Sequence, residues 1–296
     1  MLELSDRNVA ALRRVLEQPD SNGRYHPVRE IARGGMGVVW EADDRELGRR
    51  VALKILPFGA ASADWLCREA RVLAGLEHPG IVPVHDAGLL ADGRAFYAMK
   101  LVQGNRLDQA VAGLTRNQRL RIFQRICEPV EFAHSRGIIH RDLKPENVMV
   151  GEFGEVLVMD WGVAKLSSGG PETGIIGTPQ YMAPEQAAGA NDTVDQRSDV
   201  YGLGGILQFL LADQPSSRPL QAICKKAMAQ DPRERYATAA AMSADVGKFL
   251  EGEPVSAYRE NPFEVAWRWM ARHRTLVLLF LGYVVMRALV LYFLGR

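Results

Sequence analysis

One stretch of the chain gathers an acid, a cation, an amide and a second acid: His140-Arg141-Asp142-Leu143-Lys144-Pro145-Glu146-Asn147, followed by Met159-Asp160-Trp161-Gly162. Between them, Val148-Met149-Val150 and Val156-Leu157-Val158-Met159 flank Gly151-Glu152-Phe153-Gly154. Two short apolar runs around a glycine-bracketed turn predict a β-hairpin. A hairpin brings its ends together, so Asn147 and Asp160 converge across the intervening chain. An amide oxygen and a carboxylate are hard ligands of the kind Mg²⁺ accepts while keeping waters and phosphate oxygens. Asp142, just ahead of the hairpin, stands where it can take a proton from an incoming hydroxyl. A base and two metal ligands at one hairpin mouth are the parts of a phosphoryl-transfer site. The plain alternative is a polar turn before a buried hairpin, whose acids merely cap neighbouring structure. It accounts for one acid alone, not for the whole string in register.

The string HRDLKPEN followed by DWG resembles the catalytic and metal-binding loops of eukaryotic-type (Hanks-type) protein kinases, in the form common among bacterial Ser/Thr kinases. The resemblance runs from about Tyr25 to about Gly252. It implies Asp142 as catalytic base, Lys144 as a contact to the transferred phosphate, and Asn147 and Asp160 as Mg²⁺ ligands. The family has Phe where this chain has Trp161, an exchange that keeps an apolar packing role.

The elements that must position these residues follow upstream. Ile31-Ala32-Arg33-Gly34-Gly35-Met36-Gly37-Val38-Val39 resembles the family's G-x-G-x-x-G loop, with Ala32 at the first glycine and Gly34 and Gly37 at the second and third. Glycine lets backbone amides approach phosphate oxygens without an intervening Cβ. Strand-like sequence flanks the loop on both sides, whereas a dinucleotide fold would place it between a strand and a helix. Ala32 adds one methyl group, which reduces loop freedom without removing ATP binding. In Val51-Ala52-Leu53-Lys54-Ile55-Leu56, period-two alternation puts Ala52 and Lys54 on one face. On that face the resemblance implies Ala52 against adenine and Lys54 at the α- and β-phosphates of ATP. Glu69, on a predicted helix over 62–76, is the matching partner for Lys54, an ion pair required for activity in the family. The adenine pocket is expected from Ile31, Val39, Ala52, Met99 and Met149, with backbone contacts from Lys100 to Val102; Met99 stands at the gatekeeper position.

Gly177-Thr178-Pro179-Gln180-Tyr181-Met182-Ala183-Pro184-Glu185 resembles the end of a kinase activation segment, and Lys144 with Thr178 matches Ser/Thr rather than tyrosine kinases. The resemblance implies that Glu185 pairs with Arg235 and that Asp199 braces the catalytic loop. Arg141 implies control by phosphorylation of the activation loop at Ser167, Ser168 or Thr173, the last preferred for its nearness to Gly177. One departure stands out. After the predicted helix over 199–211, Ala212-Asp213-Gln214-Pro215-Ser216-Ser217-Arg218 leads directly into Pro219-Leu220-Gln221. The family places another helix and a long loop there, about twenty or more residues that help dock protein substrates.

Composition bounds the remainder. The 296 residues are 47% hydrophobic and 24% charged with a formal net charge of +1, ordinary globular values without the basic excess of a nucleic-acid binder. Cys67, Cys127 and Cys224 are scattered without metal-ligand spacing and are expected as reduced, buried thiols. The acidic start Met1-Leu2-Glu3 carries no secretory signal. Residues 275–294 read TLVLLFLGYVVMRALVLYFL, about 20 residues with one charge, Arg287. At about 1.5 Å per residue this crosses the hydrocarbon layer. Arg268, Arg272 and Arg274 ahead of it, with Trp267 and Trp269 at headgroup level, place the preceding chain in the cytoplasm. Arg287 is expected to snorkel or to pair within a partner helix, and no extracytoplasmic sensor is expected after the span.

The sequence therefore predicts an α+β protein of two-lobed kinase fold, with the helical lobe shortened after Asp199 and a C-terminal transmembrane helix. Residues 1–24 form a helical extension and linker, 25–252 the kinase domain with lobes at 25–102 and 103–252, 253–274 a juxtamembrane segment, and 275–294 the span. The expected function is a membrane-anchored Ser/Thr protein kinase using ATP and Mg²⁺ on protein substrates, with autophosphorylation, in trans if the span forms a homodimer. A nucleotide-binding module of weak activity is the alternative suggested by Ala32 and the shortened lobe. A small-molecule phosphotransferase fits the catalytic residues but not the segment 177–185.

Overall fold

Alternating apolar residues in the first third of the chain build a five-stranded antiparallel sheet in the order β1-β2-β3-β5-β4. Its strands are β1 (Tyr25–Gly34), β2 (Gly37–Asp44), β3 (Arg49–Ile55), β4 (Val84–Leu89) and β5 (Ala95–Lys100). The computed structural model describes residues 23–34, 37–56, 75–161, 165–166, 178–189, 193–215 and 217–294. The N-terminal helix expected over 5–17 and nearly all of the one expected over 62–76 lie outside these. One face of the sheet closes over Tyr25, Ala42, Val51, Leu53, Ile55, Phe96 and Ala98. β4 begins at Val84, just past Pro83. Pro83 has no N–H to give a ladder; its carbonyl accepts from Lys100 N–H at 3.1 Å instead.

After Lys100 the chain becomes helical around one large apolar cluster. β6 (Gly104–Arg106) leads into α1 (Leu107–Ala110) and α2 (Arg116–Ser135), the latter opened by a capping box between Thr115 and Gln118. Next come β7 (Ile138–Ile139), a 3₁₀ turn (Pro145–Asn147), β8 (Val148–Gly151), β9 (Val156–Val158) and β10 (Lys165–Leu166). Four helices complete the lobe: α3 (Pro184–Ala187), α4 (Gln196–Leu211), α5 (Arg218–Ala227) and α6 (Ala239–Leu250). Among the described residues no helix separates Leu211 from Arg218. There Arg119 of α2 crosses over, donating to the Leu210 carbonyl at 3.1 Å and pairing with Asp213, so the bare end of α4 is closed by a cation.

α4 carries Gly202, Gly204 and Gly205, a costly content for a helix interior. Close packing explains it. A Cβ at Gly202 would lie 3.1 Å from Leu143 Cβ, one at Gly204 2.6 Å from Met228 Cγ, and one at Gly205 2.8 Å from the Tyr181 ring. The helix thus lets the catalytic loop, α5 and the 178–183 segment approach its backbone on three sides.

α7 (Pro262–Arg272) and α8 (Arg274–Leu294) follow. α8 is long and apolar enough to cross a membrane, and none of its span is buried within the protein. Arg287 donates to Tyr283 Oη at 3.2 Å, one turn away on the same helix. Cys127 is buried and Cys224 partly so, and burial pushes the Cys224 thiol up to about 12. Cys67 lies outside the described residues.

Candidate active site

The sheet register assembles the upper wall of a cleft. Val39 pairs with Lys54 and Lys54 with Tyr97, while Ala52 pairs with Met99, so these side chains share one face across three strands. Opposite them stands the small sheet β6-β8-β9. In its hairpin Val148 pairs with Val158, Met149 with Leu157 and Val150 with Val156. The mouth of that hairpin is closed by Met159 N–H donating to the Asn147 carbonyl at 2.8 Å, which brings the Asn147 and Asp160 backbones side by side.

Between the two sheets lies a cavity of about 480 Å³, within the range that holds small ligands. Ile31, Val39, Ala52, Lys54, Met99, Lys100, Val102, Met149, Asn147 and Asp160 line it, all of them expected from the sequence. Gly34 and Gly37 do not; they face each other across the β1–β2 connection. Gly37 has φ +127, and a Cβ there would meet the Ile55 carbonyl oxygen at 2.3 Å, so glycine is required by the neighbouring strand independently of any ligand. Ala32 and Leu101 line it from within the loop and the 100–102 stretch already singled out, while Val82, Tyr97, Gly104, Arg106, Gln109, Glu146 and Met159 also line it and were not expected to. Tyr97 was within reach of pattern reasoning, because it lies two residues before Met99 on the same strand face. The others come from β6, α1 and the segments beside the hairpin, where elements too short for a periodic signal meet the sheet.

At the inner end Lys54 Nζ forms an ion pair with Asp160. Its stem is buried and its ammonium lies 5.5 Å from the Tyr97 ring centroid. Burial alone would raise the Asp160 carboxyl; the charge and hydrogen bond of Lys54, aided by His140 and Lys144, hold it below the ordinary carboxylate range. Glu69, the expected partner of Lys54, lies outside the described residues. Asp160 adopts φ 58, a left-handed conformation that aspartate tolerates better than bulkier residues do. Trp161 is buried, packs with its ring tilted 58° against His140 at 4.6 Å between centroids, and donates Nε1–H to the Val158 carbonyl at 3.2 Å, a bond Phe could not make.

Asp142 is the hub of the outer end. Its Oδ2 accepts from Lys144 Nζ at 2.7 Å and from Asn147 Nδ2 at 3.1 Å, and its Oδ1 accepts from the Thr178 hydroxyl at 2.8 Å. Lys144 also donates to Thr178 Oγ1 at 2.7 Å. Asn147 Nδ2 is further committed to the Asp142 carbonyl at 2.8 Å, which leaves the amide oxygen as the atom available to a cation. His140 Nδ1 accepts from Asp142 N–H at 3.3 Å, so Nε2 carries the proton donated to the Met159 carbonyl at 2.9 Å.

A buried acid, Asp199, holds this loop in place. Asp199, at the start of α4, accepts from the backbone N–H of His140 and of Arg141, each at 2.8 Å, and from His134 Nε2 at 2.7 Å. Burial works to raise its carboxyl, yet these donors and the His134 and His140 rings hold it below its ordinary value. Arg141 is thereby kept at φ 70, and its carbonyl accepts from Gln186 Nε2 at 2.9 Å. Glu185 forms a two-point pair with Arg235, at 2.7 and 2.8 Å, and accepts from Ser198 Oγ at 2.6 Å. Its carboxyl too is lowered against burial by those partners. Residues 167, 168 and 173, the expected phosphorylation sites, lie outside the described residues.

The set of donors suits a nucleotide with a divalent ion. Apolar walls and the exposed edge of residues 100–102 accept a flat base, while Lys54, Asn147 and Asp160 converge at the far end. Among the described residues no group of three or more His, Cys, Asp or Glu could hold a metal unaided. A cation here would take its remaining ligands from phosphate and water.

Comparison with known proteins agrees with this geometry. Serine/threonine-protein kinase PknD of Chlamydia caviae is 33% identical over 296 residues, covering 78% of this chain and 32% of the relative. Probable serine/threonine-protein kinase PknB of Bifidobacterium longum is 34% identical over 295 residues, covering 82% and 42%. Serine/threonine-protein kinase PknA of Mycobacterium tuberculosis is 42% identical over 197 residues, covering 62% and 45%. The chain thus spans about a third to under a half of the length of these relatives. Residues 25–252 match the family described as the protein kinase domain, whose members use ATP and a divalent metal, and the chain belongs to that family.

Proposed function

We propose that this chain is a Ser/Thr protein kinase that moves the γ-phosphate of ATP, with Mg²⁺ as the divalent ion, to Ser or Thr hydroxyls of proteins, its own activation loop included. The observation that carries this reading is the Asp142 carboxylate, held by Lys144 and Asn147, with a threonine hydroxyl donating to it at 2.8 Å beside the cavity. A carboxylate that receives the Thr178 hydroxyl in this way has the geometry to receive a substrate hydroxyl and take its proton. Lys144, anchored to the same carboxylate, supplies positive charge where the transferred group must pass. Lys54, now paired with Asp160, is placed to hold phosphate oxygens. Asn147 and Asp160 would hold Mg²⁺, which would supply neutralising charge at the phosphates. Glu69 is assigned as the alternative partner of Lys54. Ile31, Gly34, Gly37, Val39, Ala52, Met99, Lys100, Val102 and Met149 are assigned to nucleotide binding. No observation favours a module that binds without transferring.

The domain division proposed is 25–252 for the kinase, 253–274 for a juxtamembrane segment and 275–294 for a single membrane span, with the kinase on the cytoplasmic side. The length and apolarity of α8 and the arginines ahead of it support that orientation. A homodimer through the span would serve autophosphorylation in trans. Incubating the full chain in detergent with labelled ATP and Mg²⁺, beside Asp142→Asn, tests the activity. Label on Ser or Thr that the variant loses supports the proposal; an intact, ATP-binding chain that transfers nothing to itself or to a generic protein acceptor refutes it.

A further inference from the structure

α7 sets Glu264 and Arg268 toward the domain and turns an apolar face outward. Phe263, Val265, Trp269 and Met270 are exposed, Phe263 at 86% and Trp269 at 55%. Among the described side chains of the helix, the part-buried ones are Glu264 and Arg268, four residues apart on one stripe. Glu264 accepts from Tyr258 Oη at 2.9 Å and lies 3.5 Å from Arg218 of α5, and Arg268 donates to Glu260 at 2.7 Å. Among the described side chains, none of the helix's apolar residues joins a core cluster. At about 100° per residue, Val265, Trp269, Ala266, Met270 and Phe263 share an arc of roughly 160°. A surface helix in water buries such a stripe and exposes its charges. Here the arrangement is reversed, and something must cover the outer face.

Three observations favour a lipid surface over a second copy. α7 is joined to the span-length α8 through the single residue His273, at φ −110 and ψ 36, so a turn sits where a bilayer boundary would be. Arg259, Arg272 and Arg274 crowd the segment, while Glu260 and Glu264 are already paired, with Arg268 and Arg218. The helix presents a face only roughly 16 Å by 10 Å, well short of the ~800 Å² per partner of a stable protein interface.

We infer that α7 lies in the plane of an anionic bilayer, with the Phe263, Trp269 and Met270 face sunk among headgroups and upper acyl chains. Its Glu264 and Arg268 stripe faces up to the kinase domain, so the domain is seated on the membrane at a set attitude through Tyr258 and Arg218. This rests on the membrane reading of α8, and the test separates the two. An environment-sensitive fluorescent amino acid is placed singly at position 263, at 285 in mid-span, or at Phe153 on the exposed hairpin tip. The full chain is reconstituted in vesicles of equal parts phosphatidylcholine and phosphatidylglycerol, with bromine either near the headgroup or near the chain ends.

The expected result is loss of emission at 263 with headgroup-proximal bromine, loss at 285 with chain-end bromine, and none at 153. Loss at 285 with none at 263 overturns the inference and leaves the span standing. No loss at either position overturns both. Blue-shifted emission at 263 that neither lipid quenches means a second copy covers the face, and that also overturns it.

Discussion

Replacing Asp199 by asparagine keeps its shape and removes one acceptor. Oδ1 takes the Arg141 N–H, and Oδ2 takes both the His140 N–H and His134 Nε2, at 2.7–2.8 Å. The side chain is 1% exposed, so no water can substitute. An amide nitrogen only donates, and whichever way the group is turned it faces at least one backbone N–H. Losing a hydrogen bond to a charged group costs about 1.5–3 kcal/mol, and stranding a buried donor about 1–3 kcal/mol more. The expected destabilisation is roughly 3–5 kcal/mol, and at about 2–4 °C per kcal/mol for a domain of this size the Tm falls by roughly 6–20 °C. Thermal unfolding of the full chain in detergent, followed by tryptophan emission, reads it, because Trp161 is buried against His140. Phosphotransfer falls as well, since Arg141 at φ 70 relaxes once its anchor weakens and carries Asp142 with it. A Tm within about 2 °C of the parent would refute the assignment of Asp199 as the clamp of this loop.

Three further outcomes are expected. Lys54→Met lowers phosphotransfer by about a hundred- to a thousand-fold at unchanged Tm within a few degrees, and raises the Asp160 carboxyl, because burial then acts without its counter-charge; nucleotide titration and single-turnover transfer measure it. Gly205→Ala costs about 1–3 kcal/mol, because the new Cβ meets the Tyr181 ring at 2.8 Å, whereas Gly247→Ala on α6 meets only the far end of Gln124 at 3.1 Å and is neutral or stabilising by up to ~1 kcal/mol; denaturant melts of the two variants side by side decide. Stability also depends on pH with a definite sign. Asp160, Glu185 and Asp199 all titrate below their ordinary values of 3.8, 4.5 and 3.8 in the folded chain, so the unfolded chain binds more protons in acid. Their contribution is complete above about pH 5 and is lost as pH falls below about 4.5 through the folded values, which a series of melts from neutral to acid pH checks.

Much of the site was legible in the sequence because its signals are local. The hairpin 148–159 announces itself by period-two apolar runs around a glycine turn, and a hairpin has no choice but to bring Asn147 to Asp160. The strand VALK fixes which side Lys54 shares with Ala52, and the pairing of β3 with β5 then carries Met99 to the same wall. α8 was legible for the same reason: a run of about 20 residues with the single charge Arg287 predicts one long apolar helix.

What remained for the tertiary structure is long-range. Lys54 and Asp160 are 106 residues apart, and no pattern in either segment states that they touch. The three glycines of α4 look like poor helix formers until Leu143, Met228 and Tyr181 are seen against its backbone. In α7 the sequence specifies an amphipathic helix but not its attitude, since periodicity fixes the angle between two faces and says nothing of which one meets the protein. Only the contacts of Glu264 and Arg268 decide that, because an ion pair is made by two partners in space and a helical stripe by one chain alone.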